Sequence, residues 1–343
     1  MQGTGDIRKG DNEAGDIITL GAGAWRLCEP LASSSYGLLW RAEPAAGGAP
    51  AALKLVNRAQ MALAEPAQRA RWIEAAANEI AFLRTLQPWD RRHIVALLDS
   101  GEHQGMPAAA LELLDGDLAR HLDARRARGE TVGLAQALDW LAQVNGALAR
   151  VHGYGWRYLD LKPSNLLLDR HGTLKLADFG TSRALDQAGT HGYTGTASWQ
   201  APEQFFALDS GGYRTDARSD YFALGALLYF LVTGALLDYC AACGAAFREH
   251  GTAGAGRLRA QHRGQLPPVL APDEAALFAQ HARARGTDDG ACARALGLLR
   301  ALLQPRPEQR PRHALEISRL IACARACAGA DARTGAGPLR SAA

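Results

Sequence analysis

The chain has 343 residues, of which 48% are hydrophobic and 21% are charged, values ordinary for a globular protein with a sizeable core. This length accommodates one large domain or two smaller ones. The 38 basic and 35 acidic residues leave a net charge of +3, which does not indicate a nucleic-acid partner. Basic clusters, at residues 125–126 and 257–263, are typical of solvated faces.

The first half of the chain predicts a small β-rich region with one main helix. Residues 1–20 lack periodicity and predict a mobile tail. Residues 66–86 carry apolar side chains at the spacing of one buried helical face. Short apolar runs separated by turn-forming residues predict strands at 27–31, 37–42, 51–56, 94–98 and 108–113.

The second half of the chain is predicted to be mostly helical. Helices are expected at 118–128 and 134–152, and again from about residue 202. Residues 244–264 are rich in Gly, Ala and Arg and predict an insertion loop, and the last residues predict a frayed tail.

The longest apolar run, residues 221–237, is about one residue short of a membrane span and directly follows Asp220. It therefore favours a helix buried inside a large domain over a transmembrane helix. The first twenty residues are polar and charged and do not form a signal-peptide pattern. We expect a cytoplasmic protein without a membrane span.

The six cysteines do not form the dense pattern of a disulfide framework. Cys240 and Cys243 form a CxxC, while Cys323 and Cys327 lie far downstream. A structural zinc site needs four suitably spaced ligands, so reduced, partly buried thiols are the better interpretation and zinc is the alternative.

Residues 160–178 concentrate side chains that can carry catalysis. Asp160 offers a carboxylate base, and Lys162 a compact cation two residues later. Asn165 and Asp178 offer the oxygen ligands that Mg²⁺ prefers. For an isolated Asp-x-Lys-x-x-Asn, a solvent-exposed turn with capping side chains is the alternative.

The segment Tyr158–Asp169 resembles the catalytic loop and following strand of the eukaryotic-type (Hanks-type) serine/threonine protein kinases. Asp178-Phe179-Gly180 resembles that family's magnesium loop, and Ala201-Pro202-Glu203 the end of its activation segment. Motifs in this order and at these separations are poorly explained by chance. Only four basic residues are lysines, and the Ala- and Gly-rich composition indicates a GC-rich, bacterial genome.

The resemblance implies an α+β, bilobal protein-kinase-like fold over residues 21–325, between tails at 1–20 and 326–343. A small β-rich N-lobe with one main helix would occupy about residues 21–113. A larger, mostly helical C-lobe would occupy about residues 114–325.

The resemblance also implies a phosphoryl transfer from ATP to protein hydroxyls. Asp160 would accept the hydroxyl proton, and Lys162 would offset charge on the transferring phosphate. Asn165 and Asp178 would bind Mg²⁺. A lysine between Asp160 and Asn165 favours serine or threonine over tyrosine as the acceptor, so protein substrates of that kind are expected.

Residues 51–54 (AALK) resemble the strand whose lysine, here Lys54, contacts the α- and β-phosphates of ATP. In the family a helix carboxylate holds this lysine. Glu79 is preferred because apolar residues follow it with the family's spacing, and Glu74 is the alternative. The other expected ATP-binding positions are Leu31, Gly37, Leu39, Ala52, Glu112, Leu113, Asp117 and Leu167.

The phosphate-covering loop departs from the family pattern. Of the three glycines in G-x-G-x-x-G, only Gly37 is kept, and Ala32 and Ser34 stand at the other two positions. Glycine lets backbone N–H groups approach phosphate closely, so weaker ATP binding is expected. Tyr36 matches the aromatic residue at the tip of the loop.

Further matches imply structural contacts. Glu203 would pair with Arg310, Asp220 would bond to the backbone of the catalytic loop, and Thr196 would contact Asp160 and Lys162. A second departure is Leu159, which stands where the family has the arginine that pairs with a phosphorylated activation loop.

Two other functions fit parts of this pattern. The depleted glycine loop is compatible with a nucleotide-binding pseudokinase scaffold, although a scaffold has no chemical need for the full catalytic set. A small-molecule phosphotransferase of the same fold generally lacks the Ala-Pro-Glu segment that is present here.

Overall fold

The computed structural model describes residues 12–33, 37–186, 189–283 and 287–328, and the chain divides into two compact units. The first unit runs to Asp115 and also includes Leu176–Ser182. The second consists of Gly116–Lys175 and the chain from Arg183 onward. The division falls close to the predicted lobe boundary near residue 113.

The first unit is built on a six-stranded antiparallel sheet, counted over the described residues. Its strands are β1 (Ile17–Thr19), β2 (Ala24–Ser33), β3 (Gly37–Pro44), β4 (Ala51–Val56), β5 (Leu97–His103) and β6 (Met106–Glu112). Their spatial order is β1-β2-β3-β4-β6-β5. Side chains from five of these strands share one buried cluster, whose members include Ile18, Trp25, Leu27, Trp40, Leu53 and Leu55.

The prediction of a mobile N-terminal tail over residues 1–20 is wrong for the last part of that range. Ile17–Thr19 pairs antiparallel with residues 24–26 of β2, and Ile18 is buried in the sheet core. The strand is only three residues long, which is too short for a recognisable alternation of apolar and polar side chains. Residues 1–11 lie outside the described part of the chain.

Among its described residues, the first unit has two α-helices, α1 (Arg58–Leu63) and α2 (Pro66–Thr85). The second confirms the helix predicted at 66–86. Its first position is Pro66, whose missing N–H costs nothing where the helix has no acceptor for it. Near its C-terminal end α2 buries Glu79, Ile80, Phe82 and Leu83, so a carboxylate lies among apolar side chains.

The segment Leu176–Ser182 is tied to the first unit by backbone hydrogen bonds. The Leu176 amide donates to the His93 carbonyl (2.9 Å), and the Val95 amide donates to the Leu176 carbonyl (3.0 Å). These bonds position the Asp178-Phe179-Gly180 motif beside α2.

The second unit is mostly helical. Its short strands are β7 (Gly116–Asp117), β8 (Trp156–Arg157), β9 (Leu166–Leu168), β10 (Leu174–Leu176, whose last residue belongs to the first unit) and β11 (Arg183–Ala184). Its helices are α3 (Leu118–Ala127), α4 (Leu134–Gly153), α5 (Pro202–Phe205), α6 (Ala217–Thr233), α7 (Asp238–His250), α8 (Gly254–Gln261), α9 (Pro272–Arg283), α10 (Asp289–Leu302) and α11 (Ala314–Ala328).

Helix α6 is the buried helix of this unit. The Asp216 carboxylate caps it by accepting from the Arg218 amide (2.7 Å), and it ends at Gly234, whose φ of 76° suits a left-handed cap. Over the described residues, no single helix is long and apolar enough to span a membrane. Only α6 taken together with Asp238–Gln261 meets the length and composition criteria, with a bend of 110° at the break.

The insertion loop predicted at residues 244–264 is wrong, because this region forms the end of α7 and all of α8. Two of its glycines, Gly244 and Gly254, permit close packing. A Cβ at Gly244 would overlap Ser198 Oγ, and one at Gly254 would overlap the Ala246 carbonyl. The C-terminal tail predicted from residue 326 falls partly on α11 and, from residue 329, outside the described residues.

Candidate active site

Strand β4 presents Lys54 beside two carboxylates of the first unit. Lys54 Nζ lies 2.6 Å from Glu79 Oε2 and 2.9 Å from Asp178 Oδ1. Glu79 is therefore the helix partner, as preferred from the spacing, and Glu74 is exposed on α2. The Lys54 side chain keeps 30% of its surface exposed while that of Glu79 keeps 2%, so the ammonium is the accessible end of the pair.

The two carboxylates of this cluster stabilise the charged form of Lys54. Desolvation acts to lower the pKa of Lys54, but the carboxylates of Asp178 and Glu79 outweigh it and raise that pKa above its usual range. Burial raises the pKa of Glu79, and the Lys54 ammonium opposes this. Lys54 thus remains a cation at physiological pH, which suits contact with an anionic ligand.

The Asp178-Phe179-Gly180 motif is fixed by α2. The Phe179 amide donates to Glu79 Oε1 (3.3 Å), and the Phe179 ring stacks on Phe82 with centroids 4.5 Å apart. Asp178 has a φ of 59°, an uncommon conformation for a residue other than glycine, and half of its side chain is exposed. Uncommon backbone angles of this kind cluster at functional sites.

In the second unit, Asp160, Lys162 and Thr196 form a closed triangle of hydrogen bonds. Lys162 Nζ donates to Asp160 Oδ2 (2.7 Å) and to Thr196 Oγ1 (2.7 Å), and Thr196 Oγ1 donates to Asp160 Oδ1 (2.7 Å). The predicted contact of Thr196 with both residues is therefore confirmed. Asp160 is 7% exposed, so its carboxylate is oriented by neighbours rather than by water.

Asn165 completes this loop. Its Nδ2 donates to the Asp160 carbonyl (2.9 Å) and to Asp160 Oδ2 (3.0 Å). These bonds occupy the amide nitrogen and leave the amide oxygen as the atom that can ligate a cation. This amide oxygen is, by itself, a donor of the type that fits Mg²⁺, a hard cation that prefers oxygen. In the first unit, the half-exposed carboxylate of Asp178 is another donor of that type.

Asp220, at the start of α6, holds the backbone of the catalytic loop, as predicted. Its Oδ2 accepts from the Tyr158 amide (2.8 Å) and lies 2.9 Å from His152 Nε2, and its Oδ1 accepts from the Leu159 amide (2.7 Å). Leu159 has a φ of 69°, so the loop needs such an external support. Its carbonyl accepts from Gln204 Nε2 (3.0 Å).

The predicted pair of Glu203 and Arg310 is confirmed in a two-pronged geometry. Arg310 Nη1 lies 2.7 Å from Glu203 Oε1, and Nη2 lies 2.9 Å from Oε2. The Arg310 side chain is fully buried. This pair anchors α5, which follows directly on the segment that contains Thr196.

The remaining ATP-binding residues expected in the first unit lie on neighbouring strands. Leu39 stands opposite Lys54 across β3 and β4, and Ala52 stands opposite Leu111 across β4 and β6. Glu112 Oε1 accepts from the Ala96 amide (2.8 Å), and Leu113 directly follows β6. Leu31 and Ala32 lie in β2 and Gly37 begins β3, while Ser34 and Tyr36 fall outside the described residues.

Two expected ATP-binding residues lie in the second unit, where β7 pairs Asp117 with Leu167 of β9. The Asp117 carboxylate caps α3 by accepting from the Arg120 amide (2.9 Å) and also forms an ion pair with the Arg120 side chain. Its contact with ribose stays a prediction.

The cysteine pair on α7 is buried. Burial raises the pKa of Cys240 well above its usual value and that of Cys243 to about 12, so both remain thiols. The described residues contain no group of three or more His, Cys, Asp or Glu side chains arranged to hold a metal ion. Cys327 lies among the residues whose side chains are not described.

Sequence reasoning missed the side chains that support the Thr196 segment. Gln200 and Gln204 are buried polar residues, and both donate to backbone carbonyls near Asp160. Tyr193 stacks on Phe247 of α7. The available signal in the sequence was the presence of two glutamines, with Glu203 between them, in an otherwise apolar run around Pro202.

Comparison with known proteins agrees with this geometry. The family model of the protein kinase domain matches residues 30–317. The chain belongs to the protein kinase family. The family match and the two units, one with a β-sheet and one mostly helical, confirm the predicted Hanks-type kinase relationship and bilobal α+β fold.

Several curated serine/threonine kinases are similar to this chain. PknA of Mycobacterium tuberculosis is 30% identical over 264 residues, which are 75% of this chain and 54% of PknA. A probable serine/threonine-protein kinase of Streptomyces coelicolor is 35% identical over 156 residues, 41% of this chain and 21% of the relative. Putative CBL-interacting protein kinase 27 of Oryza sativa is 32% identical over 218 residues, which are 62% of this chain and 50% of the relative. The matched regions thus span about a fifth to about a half of these relatives' lengths.

Proposed function

We propose that this kinase-family chain transfers the γ-phosphate of ATP to serine or threonine hydroxyls of proteins. The observation that carries the proposal is the triangle of Asp160, Lys162 and Thr196, in which a buried carboxylate is oriented by a lysine and a hydroxyl. A scaffold protein does not need this arrangement, whereas phosphoryl transfer depends on positioning of this kind.

Each residue of the proposed site has a separate task. Asp160 orients the acceptor hydroxyl and takes its proton, and Lys162 offsets negative charge close to that carboxylate. Lys54, held by Glu79, contacts phosphate oxygens. ATP would supply the phosphoryl group and Mg²⁺ would neutralise its charge. Asn165 and Asp178 are the proposed metal ligands.

The finer parts of the proposal rest on local features. The lysine at position 162 supports serine or threonine as the acceptor, and the relatives named above are serine/threonine kinases. Three further parts of the proposal are expectations from the sequence. They are a cytoplasmic location, the other predicted ATP contacts from Leu31 to Leu167, and the absence of a nucleic-acid partner.

The direct test is transfer of radiolabel from ATP by the purified full chain to a panel of serine-, threonine- and tyrosine-containing peptides, with Mg²⁺ present and then chelated. We expect labelled phosphoserine or phosphothreonine that disappears on chelation. A nucleotide-induced thermal shift without any transfer would contradict the proposal and identify a pseudokinase scaffold. Label on tyrosine alone would overturn the acceptor assignment.

A further inference from the structure

The chain after β11 returns to the catalytic loop through residues 189–206, which we call the acceptor segment. Tyr193 is its contact with α7. Its ring stacks on Phe247 with centroids 4.6 Å apart and an interplanar angle of 13°, and it meets the Tyr213 ring edge-on at 5.6 Å. Aromatic pairs of this geometry stabilise beyond the area that they bury. The segment is therefore fastened to a helix at this point.

The hydroxyl of the same tyrosine is linked to the catalytic base. Tyr193 Oη donates to Gln200 Oε1 (2.8 Å), and Gln200 Nε2 donates to the Thr194 carbonyl (2.5 Å). Two residues further on, Thr196 donates to Asp160 Oδ1 (2.7 Å). Gln200 is 1% exposed, so these bonds are shielded from competing water.

The backbone between these contacts has little freedom. Gly195 has a φ of 94°, and a Cβ there would lie 2.5 Å from the Leu159 carbonyl, so only glycine allows this close approach. On the other side of Tyr193, His191 pairs with the backbone of Tyr213 in an antiparallel bridge, and His191 Nε2 lies 2.8 Å from Thr215 Oγ1. Leu159, directly before Asp160, is apolar and buried, so a phosphate on this segment would find no cation at that position.

We propose that Tyr193, Gln200 and Phe247 form a lock that positions the acceptor segment against Asp160 and removes the need for phosphorylation of that segment. The inference deepens the proposed kinase function by naming how its site is regulated, and it rests on that function for its kinetic consequence. Tyr193 is a positioning residue, because it acts on Asp160 through Thr194 and Thr196.

The lock has two separable parts, ring stacking and the hydroxyl bond. Tyr193→Phe keeps the ring and loses one hydrogen bond, whereas Tyr193→Ala loses both. Phe247→Ala breaks the stack from the side of α7 without changing the segment. A matched control is His121→Ala, because exposed His121 meets Trp140 edge-on at 6.0 Å on another part of the second unit.

The first arm of the test measures order in the segment and does not depend on activity. Amide hydrogen exchange of the full chain, read over residues 189–206, should accelerate at least tenfold in Tyr193→Ala and Phe247→Ala. It should change less than threefold in His121→Ala, and in Tyr193→Phe it should accelerate by more than in this control but by less than in Tyr193→Ala. Unchanged exchange in Tyr193→Ala would overturn the lock whether or not the chain transfers phosphate.

The second arm measures catalysis. Tyr193→Ala should lower kcat/KM for a peptide substrate at least tenfold, about 1.4 kcal/mol of barrier, with the KM for ATP within threefold. The double variant Tyr193→Ala/Phe247→Ala should lose no more than the worse single variant, because both remove the same contact. Fully multiplicative losses, or an equal rise in the KM for ATP, would contradict the lock.

The third arm concerns phosphorylation. Wild type treated with a phosphatase, and the variant Thr190→Ala/Thr194→Ala, should each keep kcat/KM within tenfold of untreated wild type. A larger loss in either would show that a phosphate orders the segment and would overturn the proposal. If the wild type transfers no phosphate but amide exchange still accelerates in Tyr193→Ala, the lock stands and the kinase function is refuted.

Discussion

Replacing Arg310 by methionine tests what the buried ion pair contributes to the second unit. Arg310 bonds to both oxygens of Glu203, and its remaining donors reach the carbonyls of Gln304 (2.7 Å), Arg218 (3.0 Å) and Pro305 (3.0 Å). Its guanidinium also lies 5.0 Å from the centroid of the Phe222 ring. The methionine side chain fills similar volume and removes every donor at once.

The expected cost follows from what each variant leaves behind. Breaking a buried ion pair from one side costs about 3–5 kcal/mol. Arg310→Met also removes three hydrogen bonds to partly buried carbonyls, so we expect the upper part of that range, about 4–5 kcal/mol. Glu203→Gln leaves Arg310 with its carbonyl partners and the Phe222 ring, so we expect about 3 kcal/mol. The two losses should not add, because they share one contact.

Urea unfolding of the full chain at neutral pH, with the transition of the second unit analysed separately, gives these free energies. Arg283→Met is the matched control, since it removes an ion pair with Asp289 (2.8 Å) in which both side chains are mostly exposed. It should cost less than about 1 kcal/mol. A loss below about 1 kcal/mol for Arg310→Met, or additivity in the double variant, would refute the reasoning.

Three further predictions concern the site and its pH response. Ala32→Gly with Ser34→Gly should lower the KM for ATP, since the backbone can then approach phosphate, and an unchanged KM would show another mode of phosphate contact. Asp178→Asn should weaken Mg²⁺-dependent nucleotide binding, measured by titration with and without the metal; equal loss in both conditions would contradict its role as a ligand. Burial, together with nearby Arg183, lowers the pKa of His191, so its contribution to stability is present above about pH 6.5 and is lost as pH falls towards the lowered value. Amide hydrogen exchange over residues 189–206 should therefore accelerate below about pH 6.5 in the wild type, and less so in His191→Gln. Identical pH profiles of the two proteins would contradict this prediction.

The sequence predicted best what is encoded locally. The helix expected at 66–86 is α2, because apolar periodicity and Pro66 both mark it. The residues proposed for catalysis are also recognisable in the sequence, since Asp160, Lys162 and Asn165 lie within one short loop. Their hydrogen bonds follow largely from that closeness in the chain.

What the sequence did not predict depends on contacts between distant residues. The glycines at 244 and 254 signalled a loop, yet they permit close approach to Ser198 and Ala246 within helical structure. Nothing in the chain near Tyr193 indicates that its ring meets Phe247. Periodicity and turn signals report local preference, whereas such partners are chosen by the tertiary fold.

The measurement that tests the central claim most directly compares Asp160→Asn with wild type in Mg²⁺-dependent radiolabel transfer to a serine or threonine peptide. Because asparagine cannot take up the hydroxyl proton, kcat should fall by about 10²–10⁴-fold while ATP binding stays nearly intact. Asp123→Asn, at an exposed position of α3, is the control and should match wild type. Wild-type turnover in Asp160→Asn would contradict the assignment of Asp160 as the base and, with it, the proposed kinase mechanism.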